Sequence, residues 1–64
     1  MERNTFFRTE NDGVLMRVTE VAKNGCCICR SVHDLLHIVE FGMDYIAERA
    51  LRYQQQLLQH NNNN

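Results

Sequence analysis

Two turn signals, Asp12-Gly13 and Asn24-Gly25, bracket an alternating run and constrain this chain more than any other feature. Such dipeptides between β-prone segments favour tight hairpins, because glycine accepts the positive φ that a hairpin turn demands. Before the first turn lies Thr5-Phe6-Phe7-Arg8-Thr9. Between the turns, Val14 to Lys23 alternates. Val14, Met16, Val18 and Ala22 fall on one face, and Arg17, Thr19 and Lys23 on the other. After the second turn, Cys26-Cys27-Ile28-Cys29-Arg30 forms a third β-prone run.

The expected fold class is therefore α+β. A three-stranded antiparallel β-meander over residues 5–30 precedes one long amphipathic C-terminal helix over residues 31–59. An all-α helical hairpin is the alternative, because Leu15, Val18 and Ala22 also fit helical spacing between an Asp12 cap and a Gly25 stop. A two-residue turn at Asn24-Gly25 pairs Ala22 with Cys27, Val21 with Ile28 and Glu20 with Cys29. A first turn of two or four residues sets Phe7 against Val18 or Met16. One face then collects Phe7, Val14, Met16, Val18, Ala22, Cys27 and Cys29. Leu15, Val21, Ile28 and Phe6 are left on the other.

The second half reads as helix. Ser31-Val32-His33-Asp34 resembles a capping box, with Asp in place of Glu. Val32, Leu36, Val39, Met43, Ile46, Ala50, Tyr53 and Leu57 follow at spacings of four and three, a heptad seam. Gly42 costs about 1 kcal/mol in a helix interior and offers a break, with Asp44 starting a second helix. The seam keeps its phase across Gly42, so one helix is expected, roughly 40 Å long at 1.5 Å per residue. A short meander covers less than half of that length. The seam is thus the expected interface of an intertwined homodimer, and an exposed strip is left for a larger protein.

Size points the same way. The chain has 64 residues and forms one domain, expected over 1–60, with the polar 61–64 stretch a disordered tail. A chain of this length buries only roughly 60% of its unfolded surface, and small domains add disulfides, metals or partners. Its three cysteines lie within four residues and cannot staple distant segments. A reducing, cytoplasmic setting is expected, since the polar start does not read as a signal peptide. No uncharged apolar run approaches the ~20 residues of a membrane span.

Chemistry has few places to reside. Cys26, Cys27, Cys29, His33 and His37 contain ligand types that zinc accepts, although all are local in sequence. This makes a small zinc-binding regulatory domain the alternative function. His33, His37, Glu40 and Asp44 form a second stripe if the segment is helical. Cys29 beside His33 is a weak nucleophile pair, and no catalytic residue is assigned. A ribbon-type nucleic-acid regulator would place Arg8, Arg17 and Lys23 on phosphates. The net charge of −1 weighs against nucleic acid. The leading expectation is a non-enzymatic regulatory adaptor that acts as a homodimer through protein–protein contacts.

Overall fold

The computed structural model describes residues 1–62, with side chains through residue 59. It is α+β, with four strands rather than three. The elements are β1 (Phe6–Arg8), β2 (Leu15–Val21), β3 (Cys26–Ser31), β4 (Ile38–Gly42) and α1 (Met43–Asn62). The strands form one antiparallel sheet in the order β1-β2-β3-β4. These strands replace the helical hairpin. α1 crosses one sheet face and packs on β1 and β4. The expected Asn tail overlaps α1 through Asn62, and residues 63–64 lie outside the described residues.

Both turns form, each with a left-handed glycine: φ is +65° at Gly13 and +84° at Gly25. A four-residue loop joins β1 to β2, closed by Thr9 N–H on Val14 O at 3.0 Å, and sets Phe7 opposite Met16. The second loop is one residue longer than expected. Ala22 N–H donates to Cys26 O at 2.9 Å, so Lys23, Asn24 and Gly25 form a three-residue loop. This pairs Val21 with Cys27, not with Ile28.

A β-bulge between Val18 and Glu20 adds a second one-residue slip. Its reason is chemical. Continuous pairing would turn Glu20 toward the core and Val21 away from it. The extra residue, Thr19, reverses both, so Glu20 shares the face of Ile28 and Val21 packs on the core. The Thr19 hydroxyl donates to Ile28 O at 3.1 Å. The two slips sum to an even shift, so Met16 and Val18 still face the same side as Cys27 and Cys29.

The expected helix over 31–59 is the main correction. Residues 38–42 are strand, and the helix starts at Met43. The capping chemistry at Ser31 is real but closes a loop. Asp34 N–H donates to Ser31 Oγ at 3.2 Å, and Leu36 N–H to Asp34 Oδ1 at 3.2 Å. Ser31 N–H then reaches His37 O at 3.0 Å, turning the chain straight into β4. Gly42 ends that strand, and Asp44 lies in the first helical turn, where the helix dipole favours an acid.

The core lies between α1 and the sheet. Phe7, Met16, Val18, Cys27, Cys29 and Ile46 are fully buried. The rings of Phe7 and Phe41, on the two edge strands, approach edge-on at 5.6 Å, and Tyr45 stacks on Phe41 at 5.1 Å. Small thiols at the centre of the sheet leave room for these rings to meet. Arg49 Nε donates to Arg8 O at 2.9 Å and Tyr45 Oη accepts from Glu10 N–H at 3.1 Å, so α1 is tied to β1 and its loop.

Candidate interaction surface

The sheet has two faces, and α1 covers one. The register defines the other. Phe6 opposes Arg17, Arg17 opposes Arg30, and Arg30 opposes Ile38, so one row crosses all four strands. One step along the strands lies a second row, in which Glu20 opposes Ile28 and Ile28 opposes Glu40. On the other side of the first row, Leu15 opposes Arg8 and bonds Val32 N–H through its carbonyl. Phe6 is 42% exposed and Ile38 51% exposed. The face therefore presents apolar side chains interleaved with three arginines and two glutamates. α1 does not reach it, and Val32 and Leu35 of the β3–β4 loop border it beside Phe6, Arg17 and Arg30.

Its charges are weakly satisfied. The one ion pair among the described residues is Arg52–Glu48, on the helix. Arg17 and Arg30 are cross-strand neighbours of like sign, an unfavourable arrangement unless something compensates it. Arg17 Nη1 has only a long bond to Asn4 Oδ1, at 3.4 Å. Arg30 Nε is shielded from solvent and has no acceptor. An unmet buried donor costs about 1–3 kcal/mol. A cavity of about 200 Å³ opens beside these groups, walled by Phe6, Val32 and Leu35.

The expected helical seam is divided between elements. Val32 and Leu36 lie in the β3–β4 loop, and Val39 is on β4. Met43, Ile46, Ala50, Tyr53 and Leu57 do share one helical face. Ile46 is fully buried, and Met43 and Ala50 pack against the core of their own chain. The seam is consumed largely in cis. Every side chain from Gln54 to Gln59 is exposed, so only the distal turns of α1, with Leu57 and Leu58, stand clear of the sheet.

The cysteines and histidines are placed apart by the same topology. Cys27 and Cys29 point into the core, whereas alternation puts Cys26 on the opposite face. His33 and His37 are exposed in the β3–β4 loop. Among the described residues, no three His, Cys, Asp or Glu side chains converge as a metal-binding set. His33, His37, Glu40 and Asp44 form no helical stripe, because they fall on a loop, a strand and a helix. The two histidines and Asp34 instead line an open cleft of about 410 Å³ against Arg8 and Asp12.

Burial, followed by the neighbouring Cys27, pushes the Cys29 thiol from 9.0 up to about 11. At neutral pH it is a protonated packing group, the reverse of an activated nucleophile. The raised value makes folding pH-dependent. Stability is fully present below pH 9. Between pH 9 and about 11 the unfolded chain loses this proton and the folded chain keeps it, so stability falls as pH rises. Urea midpoints measured across that interval should decline for the native chain, and decline less for Cys29→Ala. Equal slopes would show that the thiol is not shifted.

No helix is long and apolar enough to cross a membrane among the described residues. Comparison with known protein families, with curated proteins and with solved structures finds no match to this chain.

Proposed function

We propose that this chain is a non-enzymatic regulatory adaptor that works as a homodimer and engages a larger protein. One observation carries the reading: α1 leaves the second face of the sheet open, and that face bears Leu15 and Ile28 with exposed Phe6 and Ile38. A small domain gains most from burying such a face against a partner. The interface proposed is thus the sheet and not the helix seam, whose central residues already pack in cis. The distal turns of α1, with exposed Leu57 and Leu58, are left for the larger partner.

Sedimentation equilibrium of the purified chain at tens of micromolar tests this. A dimer is expected. Phe6→Glu with Ile38→Glu should yield a monomer with an unchanged far-ultraviolet spectrum, because neither residue is in the core. A native chain that stays monomeric, or a double variant that stays dimeric, overturns the placement.

A further inference from the structure

We infer that two copies pair face to face through their open sheet surfaces, with Arg17 and Arg30 of each copy set against the acidic row of the other. The inference rests on the homodimer reading and specifies its register.

The charge pattern carries the argument. On one face, a row holding Arg17 and Arg30 lies one step from a row holding Glu20 and Glu40, with Ile28 between the two acids. The rows are roughly 7 Å apart, two residues along a strand. Among the described residues, neither acid forms an ion pair with either arginine. A two-fold axis running across the strands, midway between the rows, superposes each row on the other. It lays Arg17 over the partner's Glu20 and sets Arg30 over the partner's Ile28, between the partner's Glu20 and the partner's Glu40. Every contact occurs twice, as an isologous interface requires. A two-fold axis parallel to the strands would instead lay arginine over arginine. The Thr19 bulge is part of this arrangement, since it turns Glu20 onto the open face.

A nucleic acid fits the same face less well. Its phosphates would meet Arg17 and Arg30, but also Glu20 and Glu40.

The test is a reciprocal charge swap. R17E/R30E makes the face wholly acidic at these four positions, and E20R/E40R makes it wholly basic. Each variant alone should dimerise at least about 100-fold more weakly than the native chain, because like charges then oppose. Mixed in equal amounts, they should form a one-to-one heterodimer of near-native affinity, read by native mass spectrometry. Circular dichroism checks that each is folded. If a variant fails to fold, the native chain still decides. Its dimer dissociation constant should rise between 50 mM and 500 mM sodium chloride, and a constant that ignores salt overturns the charge register.

Folded variants that dimerise like the native chain also overturn this register while leaving the homodimer reading intact. A monomeric native chain overturns both. If that monomer bound a labelled single-stranded oligonucleotide at low salt, and R17E/R30E did not, the face would belong to nucleic acid instead.

Discussion

Ile46→Asp should severely destabilise the single chain, well beyond any effect on assembly. Ile46 is 0% exposed and lies on the buried side of α1, in one cluster with Phe7, Met16, Val18, Cys27 and Cys29. A carboxylate there must lose its hydration or keep its proton, and it also removes the packing of an isoleucine. The combined cost is about 4 kcal/mol or more. A chain of this length has about 3–10 kcal/mol in total, at roughly 0.05–0.15 kcal/mol per residue. The variant should therefore lose at least about 40% of that stability at 25 °C, with its urea midpoint far below that of the native chain or its transition lost. Leu57→Asp, on the same helical face but 47% exposed, should shift stability by no more than about 0.5 kcal/mol. The contrast separates two uses of one stripe. A seam devoted to a second helix would make both changes break assembly and leave the monomer folded. A monomeric Ile46→Asp protein as stable as the native chain would contradict the core placement.

The first half of the fold was legible because its signals are local. Gly13 and Gly25 take the positive φ that their turns require. Phe7, Met16, Val18, Cys27 and Cys29 occupy the face that alternation assigned to them. The register was not legible in detail, because loop length and the bulge at Thr19 each change it by one residue. The simple register points Glu20 into the core. A charge on the buried side is a reason to expect a bulge.

The second half misled for a definite reason. Val32, Leu36, Val39 and Met43 have helical spacing by coincidence, and Ser31 with Asp34 offers capping chemistry whether or not a helix follows. Phe41 was the discordant residue. At 100° per residue it lies almost opposite Val39 on a helix, so the helical reading leaves a large aromatic on the polar side. As a strand, Ile38-Val39-Glu40-Phe41 alternates cleanly, with Val39 and Phe41 inward and Ile38 and Glu40 outward. The candidate surface was out of reach for the same reason. Without β4 there is no four-strand row, and Arg17, Arg30, Glu20 and Glu40 have no common face.

Phe7→Ala is the second large effect, and it tests β4 as well as the core. Phe7 is fully buried, with Phe41 edge-on at 5.6 Å and Tyr45 edge-on at 6.3 Å. Truncation should cost about 3–5 kcal/mol, enough to leave much of the chain unfolded at 25 °C. Phe7→Leu keeps most of the volume and should cost far less, so it is the practical background for urea denaturation. On that background the aromatic pair can be measured by a double-mutant cycle with Phe41→Leu. The native arrangement predicts a coupling of about 0.5–1.5 kcal/mol, because the two rings meet across the full width of the sheet. If residues 31–59 formed a single helix, Phe41 would lie on its solvent side, remote from Phe7. The two substitutions would then be additive. Coupling near zero would remove β4 from the sheet, and with it the row of side chains on which the proposed interface depends.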